Sequence, residues 1–419
     1  MAMDFPIFEL GELCDVSIGR TPPRNEFKWF NQDAQSFKWV SIRDMGNCDK
    51  YLYKTSETIT VEGQREFNIP IVPCNTVILS FKLTIGRVAI TGSENMLTNE
   101  AIAQLPIKNE RVLNKEYLYY YLKNFNYDTL GNTSSIATAV NSKTIKKLPV
   151  VVPPYEKQLE IVSILSSLDD KIENNRRIND NLEQQAQELF KHWFVDFTPF
   201  KDGKFINSEL GLIPEGWMVV SLDEMTSKFG TGLNPRQNFK LGEGTNFYVT
   251  IKNMSDNRVY LNDKCDRVTD EALEKINKRS KLQKGDLLFS GIGTIGRVAM
   301  ITENPINWNT SESVFNMHPS EGYSTEFLYV LLLSDGFQQY VKIHSQGGVQ
   351  QGIRMSSLKQ YQIALPSRET MKIFDNVIAP IISIIREKEQ ENDRLVILRD
   401  TLLPKLMSGE INVDDISID

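Results

Sequence analysis

Gly291-Ile-Gly-Thr-Ile-Gly296 fits GxGxxG, a pattern that holds a pyrophosphate on backbone amides when it joins a strand to a helix. Leu287-Leu-Phe-Ser supplies the strand, but Arg297-Val-Ala-Met-Ile after the motif is itself strand-like. The segment therefore reads as a tight turn between two strands, and Lys82-Leu-Thr-Ile-Gly86 stands in the same place earlier in the chain. Each turn is followed by an arginine, Arg87 and Arg297, able to meet a phosphate or a guanine edge. The plainer reading of each is a framework salt bridge, to Glu100 and Glu312 respectively. No GxxxxGK[ST] loop is present, so no ATP motor is expected. The three histidines, His192, His318 and His344, have neither ligand spacing nor acids beside them in the sequence. His192 borders an apolar seam and reads as structural. Cys14, Cys48, Cys74 and Cys265 are scattered and never form CxxC, which suits reduced thiols rather than zinc. No nucleophile–base pair is evident, so neither catalytic residues nor a metal site is expected.

The loops carry recognition chemistry instead. Arg20-Thr-Pro-Pro-Arg24 matches Thr231-Gly-Leu-Asn-Pro-Arg236 in position; proline fixes each loop and arginine can reach out. Thr133-Ser-Ser-Ile136, with Ser134 and Ser135, corresponds to Gln346-Gly-Gly-Val-Gln-Gln-Gly352, followed by Arg354. Gln346, Gln350 and Gln351 suit adenine edges, arginine suits guanine, and glycine lets the backbone approach a phosphate. Arg43 and Lys252 stand at matched positions, and the two turns offer Lys82 and Thr294 as further candidates. The plain alternative is that polar, glycine-rich loops are simply loops.

Two elements must position these loops. Between Tyr155 and Trp193 the residues Ile161, Leu165, Leu168, Ile172, Asn175, Asn179, Leu182, Ala186, Leu189 and Trp193 follow at alternating steps of four and three. That spacing puts one seam on one face of a helix. A helix of about 40 residues is about 60 Å long and needs a partner along its length. The seam returns between Thr370 and Leu406 as Ile378, Ile381, Ile385, Lys388, Asn392, Leu395, Arg399, Leu402 and Leu406. One constant offset maps Leu168 onto Ile381, Ile172 onto Ile385, Asn179 onto Asn392, Leu182 onto Leu395 and Leu189 onto Leu402. Asparagine in a seam lowers stability but selects register; the alternative is a wet, weakly packed middle. Pro380 replaces Ser167 of the first helix and is expected to kink or restart the second.

The remainder repeats in order. Trp39-Val-Ser-Ile-Arg-Asp-Met45 returns as Tyr248-Val-Thr-Ile-Lys-Asn-Met254, and Ile85-Gly-Arg-Val-Ala-Ile90 as Ile295-Gly-Arg-Val-Ala-Met300. Thr98-Asn-Glu-Ala101 returns as Thr310-Ser-Glu-Ser313, and Glu116-Tyr-Leu-Tyr119 as Glu326-Phe-Leu-Tyr329. Short strand-like runs such as Lys38–Arg43, Thr76–Phe81 and Gly86–Thr91 surround one helix expected over Lys115–Phe125, with Tyr117, Leu118, Tyr121 and Leu122 inward. The formal net charge is −7, yet the excess acid concentrates in the two helical stretches, leaving globular parts near balance. The helices are poor candidates to lie on phosphates and read as spacers or protein-docking elements. The amino terminus lacks the features of a signal peptide, and no apolar run approaches the roughly 20 residues of a membrane span.

The whole chain resembles the specificity subunit of a type I restriction–modification system. The resemblance rests on the two-fold repeat, the lead-in Val152-Pro-Pro-Tyr-Glu-Lys-Gln158, Ile164-Leu-Ser-Ser-Leu-Asp-Asp-Lys-Ile172, Leu189-Phe-Lys-His-Trp-Phe-Val-Asp-Phe197 and Arg399-Asp-Thr-Leu-Leu-Pro-Lys-Leu-Met-Ser-Gly-Glu410. The second lead-in, Leu365-Pro-Ser-Arg-Glu-Thr, lacks the glutamine. The expected fold is α+β: two repeated α/β target-recognition domains separated by two long helices that pack as an antiparallel coiled coil, with a pseudo-two-fold relation. The expected boundaries are 1–153 for the first recognition domain, 154–197 for the central helix, 198–366 for the second domain and 367–419 for the C-terminal helix and tail. The likeness implies a cytoplasmic protein, without membrane attachment, that binds double-stranded DNA, each domain reading half of a split sequence. It implies two methyltransferase subunits bringing S-adenosylmethionine and restriction/translocase subunits bringing ATP and magnesium, with no cofactor in this chain. A methyltransferase of its own would need Asn/Asp-Pro-Pro-aromatic, and Pro153-Pro-Tyr155 is preceded by Val152. The competing reading is a coiled-coil adaptor without DNA recognition.

Overall fold

Tyr155–Phe194 forms one helix of 40 residues and Arg368–Ser408 another of 41. The computed structural model describes residues 5–30, 36–130, 141–345, 352–411 and 413. The second helix is not broken. Pro380 and Pro404 lie within it and both face solvent. A proline removes the amide partner of the carbonyl four residues back; on an exposed face water can take that bond. Ile378, Ile382 and Ile385, on the packed side, are buried.

The chain divides into two compact units. One comprises residues up to Arg176 and from Glu389 onward; the other is Arg177–Lys388. Each therefore contains a globular part and a piece of both helices.

In the first unit a five-stranded sheet has the order Ser17–Ile18, Ile102–Leu105, Val77–Ser80, Val88–Thr91, Tyr51–Leu52. A four-stranded sheet has the order Glu57–Ile59, Phe37–Val40, Met96–Thr98, Ile71–Val72. The helix Lys115–Asn124 covers the core with Tyr117, Leu118, Tyr119, Tyr120 and Leu122 buried, while Tyr121 is only half-buried. Its Asn114 cap accepts from the amides of Glu116 and Tyr117, as an N-cap asparagine should. Ile7–Glu9 pairs antiparallel with Pro149–Val151, so the globule closes where the long helix begins. Gln158, fully buried, locks that junction: its Nε2 donates to the carbonyls of Val112 and Pro153 at 2.8 and 2.9 Å, and its Oε1 accepts from the Asn114 amide.

Ile161, Val162, Ile164 and Leu165 of one helix and Leu403 and Leu406 of the other join this core. The two segments run antiparallel. Asp169 meets Arg399 at 2.7 Å, and further along Asn175 Nδ2 donates to Asn392 Oδ1 and Glu391 Oε2 at 2.9 Å. Tyr120 Oη also donates to Asp169, at 2.6 Å.

The second unit repeats this plan. Its four-stranded sheet runs Thr226–Thr231, Val314–Pro319, Leu287–Ser290, Val298–Met300, and a three-stranded sheet runs Asp266–Val268, Asn246–Val249, Trp308–Thr310. The parallel pairing of Trp39 with Leu97 and Val40 with Thr98 recurs as Tyr248 with Asn309 and Val249 with Thr310. Met218–Ser221 pairs with Gln362–Leu365 and closes the globule before its helix. Here Met371 occupies the place of Gln158 and is buried among apolar residues. Ala186, Phe190 and Phe194 pack with Phe374, Ile378, Ile382 and Ile385. These segments also run antiparallel: Asn179 donates to the Ile385 carbonyl at 3.1 Å, and Trp193 lies against Phe374.

All the expected seam residues, Leu165, Leu168, Ile172, Asn179, Leu182, Leu189, Ile381, Ile385, Asn392, Leu395 and Leu402, are buried or half-buried. The asparagines are engaged rather than merely wet. Asn392 Nδ2 donates to the Ile172 carbonyl in the first unit, as its repeat mate Asn179 does to Ile385 in the second.

The Arg399–Asp169 pair is shielded, with side-chain exposures of 13 % and 11 %. Removing one member strands the other charge, which costs about 3 kcal/mol. Arg399→Met is therefore expected to lower the urea midpoint of the first unit by that equivalent, and Asp169→Asn added to it should recover part of the loss. Unchanged midpoints would show the pair to be inert.

Candidate nucleic-acid interface

Val77–Ser80 and Val88–Thr91 form an antiparallel hairpin, as do Leu287–Ser290 and Val298–Met300. The glycine-rich motif is the turn of the second hairpin, so no helix follows it to hold a nucleotide. Each hairpin is pinned identically at its base. Ser80 Oγ donates to the Thr84 carbonyl at 2.6 Å and accepts from the Arg87 amide; Ser290 Oγ donates to Thr294 at 2.7 Å and accepts from Arg297. Gly86 and Gly296 take φ of +87° and +92°, where a side chain on Gly86 would also strike the Tyr127 ring.

The two arginines complete the framework through backbone carbonyls, not through the expected glutamates. Arg87 Nη1 donates to Ile42 O at 2.5 Å, and Arg297 Nη1 donates to Ile251 O at 3.0 Å and to Met254 O. Those carbonyls belong to the helical turns Ile42–Gly46 and Ile251–Asn253 and the residue following the latter. Glu100 and Glu312 do another job: they accept from Thr21 Oγ1 and Asn234 Nδ2 and so fasten the two proline loops.

This framework brings exposed residues together. In the first unit Arg43 is exposed on the helical turn that Arg87 anchors, and Lys82, Leu83 and Thr84 are exposed at the hairpin tip. In the second unit Lys252 takes the place of Arg43, and Gly293 and Thr294 form an exposed tip. Gly352 bridges to Ile292, and the Ile353 amide donates to Gly291 O at 2.9 Å, so the chain returns to the hairpin beside exposed Arg354. A cleft of about 530 Å³ in the first unit is lined by Arg20, Thr21, Glu66, Phe67, Asn68 and Glu100.

The other arginines divide. Arg236 is exposed and has no ion pair among the described residues. Arg24 is engaged: it chelates Glu57 at 2.7 and 3.1 Å and stacks 4.5 Å from the Trp39 ring centre. Arg20 donates to Phe67 O at 2.9 Å while remaining exposed. Ser134, Ser135, Gln346, Gln350 and Gln351 lie outside the described residues.

Two histidine expectations change. His192 faces solvent. His318 has an acid that sequence spacing hid: Asp286, fully buried, lies 2.8 Å from His318 Nδ1 and 2.8 Å from Lys228 Nζ, and accepts the Gln283 amide. These contacts tie the 283–286 turn to the strands Thr226–Thr231 and Val314–Pro319. Burial pushes the thiols of Cys14 and Cys48 up to about 12, which leaves them protonated at neutral pH.

The chain's residues 3–184 and 214–394 both match the family described as "Type I restriction modification DNA specificity domain". A type I restriction enzyme MjaIX specificity subunit of Methanocaldococcus jannaschii is 26% identical over 99% of this chain and 95% of its own length. The HindI specificity subunit of Haemophilus influenzae is 27% identical over 64% of this chain and 70% of its own. The crystal structure of the type I restriction–modification system S subunit from M. genitalium shares the fold, with a TM-score of 0.50 at 15% identity over 96% of each chain.

Framework and surface arginines should separate experimentally. Arg297→Ala removes charged donation to two carbonyls and is expected to destabilise the second unit by about 2 kcal/mol. Lys252→Ala and Arg236→Ala should leave the melting temperature unchanged, weaken DNA binding and each reduce the salt slope by about 1. A slope unaltered by both would place the interface elsewhere. With both globular parts matched, this chain belongs to the type I restriction–modification DNA specificity family.

Proposed function

We propose that this chain is the DNA-reading subunit of a type I restriction–modification complex and catalyses nothing itself. Each globular part reads one half of a split double-stranded target. The paired helices set the unread spacer and dock two methyltransferase subunits. Those subunits supply S-adenosylmethionine, and restriction/translocase subunits supply ATP and magnesium; all act in the cytoplasm. Among the described residues no helix is long and apolar enough to cross a membrane.

One observation carries the reading: two hairpins with the same pinned base present different exposed residues, Lys82-Leu83-Thr84 in one unit and Gly293-Thr294 in the other. Repeated framework with divergent tips is what two readers of unlike half-sites require. A purely structural adaptor has no use for this divergence. The acid-rich helices suit protein docking better than phosphate contact.

The test is the methylation pattern made by this chain together with a cognate methyltransferase in an unmodified host. The expected motif is two short half-sites around an unread spacer. Exchanging residues 198–366 for those of a relative should alter one half-site and preserve the other. A change in both halves would end the two-reader reading. An absence of methylation, with the methyltransferase active beside another specificity chain, would favour the adaptor.

A further inference from the structure

Leu83 is 96% exposed and holds φ at +62°. Exposure alone is unremarkable, since single exposed apolar residues are common on protein surfaces. Combined with that φ it is unusual. A leucine in the left-handed region crowds its own backbone, and an asparagine or glycine would fit there with less strain. The second repeat shows that alternative: Gly293 stands at the matching tip with φ of +85°. The base beneath Leu83 is held by Ser80, Gly86 and Arg87, so the side chain is presented on a fixed hairpin rather than a loose loop. Its neighbours are cationic. Lys82 precedes it, and Arg43 is exposed on the turn that Arg87 ties to the hairpin.

We propose that Leu83 is a specificity-determining residue that contacts a thymine 5-methyl group in the major groove of the first half-site. This deepens the DNA-reading function proposed above and rests on it. A two-stranded ribbon fits the major groove, where thymine alone among the bases carries a methyl group. Lys82 and Arg43 supply flanking charge for phosphates, and the leucine supplies the apolar contact that distinguishes thymine from cytosine. The second unit cannot make this contact through Gly293, so the two readers differ in chemistry as well as in sequence.

The experiment uses the complex of this chain with its methyltransferase and a duplex carrying the target defined by the methylation pattern. The domain exchange identifies which half-site belongs to the first unit. Deoxyuridine replaces each thymine in turn and removes only the methyl group. The wild-type complex should lose about fourfold in affinity at one position of the first half-site. Leu83→Gly should weaken binding to the thymine duplex by about tenfold and be indifferent to that replacement. Because glycine suits the backbone there, the melting temperature of Leu83→Gly should be unchanged or higher, which separates lost contact from lost fold. Equal binding by Leu83→Gly and wild type, or a deoxyuridine effect that survives in Leu83→Gly, would overturn the assignment. If the wild-type chain directs no split methylation at all, the DNA-reading function fails first, and with it the premise.

Discussion

The constraint on which everything else depends is the helix seam. A 40-residue amphipathic helix is not stable in water with its apolar face bare. Here each helix is covered twice, by the other helix along the seam and by a globular part on an adjacent stripe. Leu165 and Leu406 reach into the core of the first unit, and Phe194 and Phe374 into that of the second. Neither globular core is complete without residues from both helices. The first in particular draws Leu403 and Leu406 from more than 200 residues beyond its own last strand, so its folding requires a long loop to close. Asparagine in the seam suits this arrangement. The contacts from Asn392 to Ile172 and from Asn179 to Ile385 are made in only one register, and slippage would strand a buried amide.

The same economy governs the hairpins. Their bases are rigid because serine, glycine and arginine are all engaged inward. Their tip side chains can vary because the base holds the tips through the backbone carbonyls of Thr84 and Thr294 and the side chains there are exposed. A position can therefore change from Leu83 to Gly293 between repeats while the serine and arginine contacts below stay in place. The proline loops follow this rule too: Glu100 and Glu312 fasten them at equivalent points through different partners, Thr21 and Asn234. Divergence at one position is absorbed by a donor of similar reach.

What the sequence made legible was periodicity. The heptad spacing placed both long helices within two residues of their ends, and the ordered repeat located both hairpins and the helix at Lys115. What it hid was pairing across the fold. Arg24 looked free and is held by Glu57, because a bidentate partner 33 residues away leaves no local signal. Arg87 and Arg297 donate to backbone carbonyls rather than to Glu100 and Glu312, and a carbonyl acceptor has no sequence identity by which to find it. His318 lacked an acid in its own neighbourhood and found Asp286 across a sheet. Pro380 does not restart the second helix, and the reason was not legible either. The sequence shows that an amide is missing, but not whether the orphaned carbonyl faces water.

The repeat keeps the order of its main elements, although each main sheet of the second unit has one strand fewer, and it is unequal in chemistry, most deeply where the helices meet the globular parts. Asp169 and Arg399, paired in the first unit, correspond to Ile382 and Ala186 in the second, both buried among apolar residues. A buried ion pair and a well-packed apolar pair can be nearly equal in net stability. They are unequal in what they tolerate: losing half of the first strands a charge, whereas trimming the second leaves a cavity that neighbours can partly fill. The cation over the matching tyrosines tells the same story. Lys123 lies 5.6 Å from the Tyr119 ring centre and comes from the globular helix, whereas Arg386 lies 4.9 Å from Tyr329 and comes from the long one. Each unit has kept an aromatic–cation contact at this junction while changing which element supplies the charge. The helices thus impose a common geometry on both readers without imposing a common sequence, and a scaffold with that property can carry two unlike specificities in one chain.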